Sequence, residues 1–271
     1  MTFSLKQARS PVYDGAYAGV ATDTFSVQPA IGDLVVVVGG GFNSSALLAV
    51  SDNQGHTYTL IQPSAADSQV CIAYAVVTAS SGSFTVTVNT SSRGSSAQIS
   101  LWSGQHATPL DVSSVTGTPA PSVTTTAAGD LIITVAGANN GGNTFTTPSG
   151  FTTMGQVNGA NLDFSSAYKI GGSAGAETAT WNRDKAIIAA FKTAATVTPT
   201  LSVGNATCTN LDGTVNVRVT LSSANAANTT FTINTADVTA IAGPDYTAIT
   251  GGTGTIPAGS LYVDIPVTIQ P

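Results

Sequence analysis

The sequence predicts an all-β protein built of β-sandwiches, the first of them duplicated, and three observations lead there. Thr, Ser, Gly, Ala and Val dominate while Glu, Lys, Leu and Arg are scarce, a balance that favours strands over helices. Apolar residues recur with period 2, and no segment sustains a helical period. Gly-rich breakers, Gly39-Gly40-Gly41, Asn139-Asn140-Gly141-Gly142 and Gly251-Gly252-Thr253-Gly254, fall at about the spacing of a sandwich or barrel.

In chain order, the run Leu34 to Val38 is the longest apolar stretch, far short of the ~20 residues that span a bilayer. Phe84-Thr85-Val86-Thr87-Val88 alternates and predicts a half-buried strand. A repeat emerges when the first 195 residues are laid against themselves. Gly32-Asp33-Leu34-Val35 matches Gly129-Asp130-Leu131-Ile132, and the turn Gln54-Gly55-His56-Thr57 matches Ser149-Gly150-Phe151-Thr152. Ala73-Tyr74 matches Ala167-Tyr168, Asn89 matches Asn182, and the strand ending in Trp102 matches the one ending in Phe191. Residues 1–195 are therefore read as one sandwich unit of two halves, about 1–107 and 108–195. Each half alone would bury a poor share of its surface, so the halves are expected to pack together, as one unit or as two lobes. Asp33 and Asp130, at equivalent places, are expected to fix the start of their strands through backbone hydrogen bonds. Lys192 to Thr200 reads as a linker. Beyond it Val215 to Leu221 and Leu261 to Ile269 alternate, with Pro266 on the outward phase, as on an edge strand.

Charged residues make up 8% of the 271 against 42% hydrophobic, so the chain packs a core instead of staying disordered. The eight Lys and Arg are scattered from Lys6 to Arg218 and the net charge is −6, which leaves no basic footprint for nucleic acid or anionic lipid. No apolar stretch of signal-peptide length precedes Pro11, so synthesis in the cytoplasm without a Sec signal is expected. Cys71 and Cys208 are too few and too far apart for a disulfide framework or a zinc site.

Residues 199–271 resemble a Calx-β domain. The resemblance rests on Leu201-Ser202-Val203, Asp212-Gly213-Thr214, Thr235-Ala236-Asp237-Val238-Thr239-Ala240, Ala242-Gly243-Pro244-Asp245-Tyr246-Thr247 and Ile256-Pro257-Ala258-Gly259. It implies an immunoglobulin-like sandwich, so the whole chain reads as a duplicated jelly-roll-like β-sandwich followed by an immunoglobulin-like Calx-β sandwich. Two departures stand out: Asn210-Leu211-Asp212 replaces the usual Glu near the first strand, and the family's acidic turn and further strand do not follow Ile269. Of the calcium ligands some members carry, only Asp237 and Asp245 carry over, so weak calcium binding or none is expected. The sheet edge beside the last strand is expected to lie open to a strand from a neighbouring subunit, or to be covered by the unit's own loop, 240–254.

The first 195 residues are similar to a sandwich unit of tailed-phage virion proteins and bacterial surface proteins. That likeness rests on Ala30-Ile31-Gly32-Asp33-Leu34, Val50 to Tyr58, Pro109 to Ser114, Ala128 to Leu131 and Thr147 to Thr152. Such units are structural or adhesive.

Catalytic constellations are few. Gly171-Gly172-Ser173-Ala174-Gly175 fits G-x-S-x-G by letter, but no His follows Ser173 and the flanks predict a hairpin loop. Carboxylate pairs for glycoside hydrolysis would have to come from Asp52 with Asp67 or Asp163 with Glu177, the one glutamate; Asp beside Gly and Asn is an ordinary turn former. His56 sits in a turn with Phe151 as its repeat counterpart and His106 lies in the link between halves, so both read as packing or surface residues. Trp102, Tyr58, Tyr74 and Tyr168 suit either a sugar-stacking platform or a core, and the match of Trp102 to Phe191 favours the core. Tyr13 and Tyr17 are expected to be exposed. No catalytic residue and no cofactor is assigned.

The function expected from these readings is a non-enzymatic structural or adhesive component of a tailed-phage virion, tail-associated or capsid-decorating, made in the host cytoplasm. Its expected partners are other virion proteins or copies of itself, with host-surface glycans next; neither nucleic acid nor membrane insertion is expected. The alternative is a secreted bacterial adhesin or carbohydrate-binding module at the cell surface.

Overall fold

A computed structural model describes the chain except residues 1, 14–19, 42–48, 64–69, 90–94, 140–141, 159–161, 184, 195–197 and 226. The described residues form antiparallel sheets without helix, and the chain divides into two compact units, 1–195 and 196–271.

The first half of unit one contributes β1 (Ser4–Ala8), β2 (Val12–Tyr13), β3 (Val20–Thr24), β4 (Leu34–Gly41), β5 (Ala49–Asp52), β6 (Thr59–Ile61), β7 (Cys71–Val76), β8 (Thr85–Asn89) and β9 (Ser95–Ser103). The second contributes β10 (Gln105–Thr118), β11 (Ser122–Thr124), β12 (Leu131–Asn139), β13 (Thr152–Asn158), β14 (Leu162–Ile170), β15 (Ala176–Thr178) and β16 (Lys185–Thr193). The large sheet of the first half runs β1-β9-β4-β7-β6, with β2 also on β9, and that of the second runs β10-β16-β12-β14-β13. A small sheet completes each sandwich, β3-β8-β5 and β11-β15. The two orders coincide once β10 is set on β1, β12 on β4 and β16 on β9, and they are those of a jelly roll. Among the described residues the counterpart of β5 is missing, and residues 143–148 run without a ladder there.

The repeat holds to the residue. Leu34 lies opposite Trp102 and Val36 opposite Tyr74, just as Leu131 lies opposite Phe191 and Ile133 opposite Tyr168. Gly32 and Gly129, one before each aspartate, both take the left-handed backbone, at φ +89° and +76°, which side chains resist.

Four sheets stack with three cores between them. The two large sheets meet over Leu34, Val36, Val38, Trp102, Leu131, Ile133, Val135, Phe164 and Phe191. On its other face the first large sheet packs Val35, Val37, Ile99 and Leu101 against Phe25, Phe84, Val86 and Val88 of the small-sheet layer. The second packs Ile132, Ala136, Ile188 and Ala190 against Val123 and Trp181. Central strands covered on both faces must be apolar in both phases, which is why Leu34 to Val38 reads as a continuous run. The middle core is reciprocal: Tyr74 of the first half meets Phe191 edge-on at 5.2 Å, and Tyr168 of the second meets Trp102 at 5.0 Å. That is the self-complementary pattern of a twofold dimer, here between halves of one chain.

β16 runs through Thr193, so Lys192 and Thr193 belong to a strand and not to the expected linker, part of which (195–197) lies outside the described residues. Unit two contains β17 (Leu201–Val203), β18 (Thr214–Leu221), β19 (Thr229–Ile233), β20 (Gly252–Ile256) and β21 (Tyr262–Thr268). They form two sheets, β17-β18-β21 and β19-β20. Val219, Leu221 and Ile256 are buried between them, with Phe231, Val263 and Ile265 partly so. Phe231 lies across from Gly254, and its ring takes the space that a Cβ there would fill. Pro266 faces outward on β21, at the sheet's edge.

Candidate functional site

A dense polar cluster of unit one surrounds Asp52 at the end of β5. Its buried carboxylate accepts hydrogen bonds from Gln54 N at 2.8 Å, His56 N at 3.2 Å, Tyr58 OH at 2.9 Å and His56 Nδ1 at 3.0 Å. His56 Nε2 in turn accepts from the amides of Thr78 at 3.0 Å and Ala79 at 3.2 Å, so the neutral ring carries its proton on Nδ1. The ring stacks on Phe84 with centroids 5.4 Å apart. Burial, then the charge of Asp52 and its hydrogen bond, push the Tyr58 phenol far up. Both imidazole nitrogens are thus spent on tying the 52–58 turn to residues 78–79. His106 Nδ1 accepts from Thr108 N at 3.1 Å, within its own strand.

The remaining candidates are dispersed. Asp67 lies outside the described residues. Asp163, buried on β14, takes Asn143 N at 2.6 Å and Nδ2 at 2.9 Å, while Glu177 on β15 pairs with Lys169 at 2.7 Å. Ser173 is exposed in a bend between strands β14 and β15, not on a strand-to-helix elbow. Trp102 is wholly buried and Tyr74 and Tyr168 pack against the same core, so these rings offer sugars no platform; Tyr58 packs against the core of the first sandwich. Tyr17 and the side chain of Tyr13 lie outside the description. Cys71 is buried and Cys208 exposed, each a free thiol in a different unit.

In unit two, Asp237 Oδ1 accepts from Ala242 N at 2.8 Å and Tyr246 OH at 2.7 Å, and Asp245 Oδ2 accepts from Ile241 N at 2.7 Å. The Tyr246 hydroxyl and the Ala242 amide hold Asp237 below the ordinary carboxylate range. Calcium takes 6–8 oxygens. Two aspartates already engaged in closing their own loop do not make that shell, and among the described residues no group of three or more His, Cys, Asp or Glu is placed to hold a metal ion. The same loop reaches the end of the last strand: Thr247 N donates to Thr268 O and Gln270 N to Asp245 O, both at 2.9 Å. Residues 268–270 are therefore covered from within the unit.

The uncovered face lies elsewhere. The two-stranded sheet is too narrow to cover the three-stranded one, and a cleft of about 290 Å³ opens between Leu201, Val203, Val217, Phe231, Ile233 and Ile265. Val203 is 69% exposed, an apolar side chain at the rim. Among the described residues, β17 and β19, which flank the cleft, are each hydrogen-bonded to a strand on one side only. Sequence reading missed this cleft because alternation marks which residues face inward, not whether a second sheet covers them.

No family model matches the chain, no curated protein is significantly similar to it, and no solved structure matches it significantly.

Proposed function

We propose that the chain is a non-enzymatic structural or adhesive component of a tailed-phage virion, tail-associated or capsid-decorating, held in a multi-copy particle through its C-terminal unit. The observation that carries this reading is the apolar cleft bordered by β17 and β19, each paired on one side only among the described residues. A strand from a neighbouring copy fits there: main-chain bonds to an open edge attach it, and alternate apolar side chains fill the cleft. The sparse charge of the sequence supports it, since few ionic groups need desolvating at such a contact. So does the use of Asp52, His56, Asp237 and Asp245 in loop closure, and the resemblance of both units to modules of virions and cell surfaces.

The test is the native mass of the full chain and its presence in purified particles, compared with Val203→Glu, which puts a charge at the exposed rim. Wild type assembles and the variant does not. A monodisperse monomer that never accompanies a larger particle, or a Val203→Glu chain that assembles equally well, refutes the proposal.

A further inference from the structure

The repeat contains one charge reversal. In the first half Lys6 occupies a β-bulge of β1 between Leu5, opposite Trp102, and Gln7, opposite Leu101. Its Nζ bridges both carboxylate oxygens of Asp33 at 2.7 Å, and Asp33 also accepts from Ala30 N at 2.8 Å. In the second half the same bulge of β10 falls between Leu110, opposite Phe191, and Val112, opposite Ala190, and the residue in it is Asp111. The bulge that sets Lys6 on Asp33 sets Asp111 beside Asp130, the counterpart of Asp33, and each carboxyl shifts the other.

Asp130 is wholly buried, and both of its oxygens lack a well-formed hydrogen bond from any conventional donor among the described residues. The main-chain carbonyls of both aspartates accept as expected, Asp33 from Val77 N and Asp130 from Gly171 N, each at 2.8 Å, so it is in their carboxyl groups that the two halves differ. Asp111 is better served, since the amide of Thr126 donates to it at 2.6 Å and the Thr126 hydroxyl at 2.5 Å. The other groups facing Asp130 are Lys192 and the Thr193 amide of β16. Lys169 and Glu177, beyond Gly171, neutralise each other at 2.7 Å. A buried carboxylate beside a second one cannot keep both charges without a large cost.

We propose that a single proton shared by Asp130 and Asp111 does in the second half what Lys6 does in the first, clasping the bulge of edge strand β10 to the start of β12, so that alkaline pH loosens the clasp. The proton resides on Asp130, which donates to Asp111. Burial first, then the hydrogen bond and charge of Asp111, raise Asp130 to about 7. Burial works on Asp111 in the same direction, but the Thr126 bonds, the bond from Asp130 and the charge of Lys192 outweigh it and leave Asp111 below its ordinary value. The pair titrates as a unit. Because folding raises Asp130, its contribution is complete below the unfolded carboxylate value of ~3.9 and is lost as pH rises through about 7, while the lowered Asp111 contributes above the unfolded value and fades only as pH falls through its folded one.

The test uses the full chain. Infrared spectroscopy should find a protonated carboxyl group at about pH 5.5 that titrates near neutrality and is absent from Asp130→Asn. Urea unfolding followed by tryptophan fluorescence should show the wild-type folding constant falling about tenfold or more between about pH 5.5 and 9. In Asp130→Asn that slope should largely vanish, as it should in Asp111→Lys, which recreates the ion pair of the first half. The same pH slope in Asp130→Asn as in wild type, or no protonated carboxyl group at about pH 5.5, overturns the proposal.

Discussion

The reciprocal core of unit one makes a prediction that separates a joined pair of halves from two independent sandwiches. Tyr74 touches Phe191 at 5.2 Å with the rings at 71°, a contact between halves. Phe191 is wholly buried, and truncating it to Ala should cost about 3–5 kcal/mol. The sharper measurement is the double-mutant cycle of Tyr74→Leu and Phe191→Leu, which keeps apolar bulk and removes only the ring contact. A T-shaped aromatic pair contributes about 0.5–1.5 kcal/mol beyond its area, and that is the coupling expected. The two tryptophans supply the assay: Trp102 belongs to the first half and Trp181 to the second, and unit two has neither. Trp102→Phe and Trp181→Phe each leave one reporter, and with a shared core both should report one transition at one urea midpoint once corrected for the variants' own stabilities. Separate transitions for the two halves, or additive effects of Tyr74→Leu and Phe191→Leu, would mean that the halves do not share a core.

Three further outcomes are expected. His56→Ala should cost about 2–4 kcal/mol in urea unfolding, because the amides of Thr78 and Ala79 and the buried Asp52 carboxylate all lose a partner; a loss under ~0.5 kcal/mol would contradict the assigned bonds. Gly254→Ala should destabilise unit two by about 1–3 kcal/mol, since the new methyl meets the Phe231 ring, and Gly254→Ala/Phe231→Leu should recover part of the loss. In Tyr246→Phe the Asp237 carboxyl, followed by carbon NMR, should titrate closer to its ordinary value; its contribution to folding is present above the unfolded value and fades as pH falls through the folded one. An unchanged Asp237 midpoint would mean that the Tyr246 hydroxyl does not set it.

How much was legible in the sequence follows from what alternation and repetition encode. Phe84, Val86 and Val88 were placed on one face by period 2, and all three lie in one core. The match of Trp102 to Phe191 and of Tyr74 to Tyr168 was visible as self-similarity, and the structure keeps it in register. The charge reversal was also there to be read, since Leu5-Lys6 aligns with Leu110-Asp111, but only the paired bulges show that both residues address the same aspartate position. Periodicity alone did not reveal that Leu34 to Val38 is apolar in both phases because two cores sandwich it.

Local chemistry, then, determined the strands, their inward faces, the duplication and the turn glycines, because each depends on residues close together or on a pattern that repeats. Tertiary structure alone decided which sheet meets which, and therefore which rings touch, which carboxylate is deprived of water and which apolar face stays uncovered. Those are properties of surfaces brought together from distant parts of the chain. Asp33 and Asp130 sit in the same local sequence, yet one meets a lysine and the other a second carboxylate, and that difference lies on another strand.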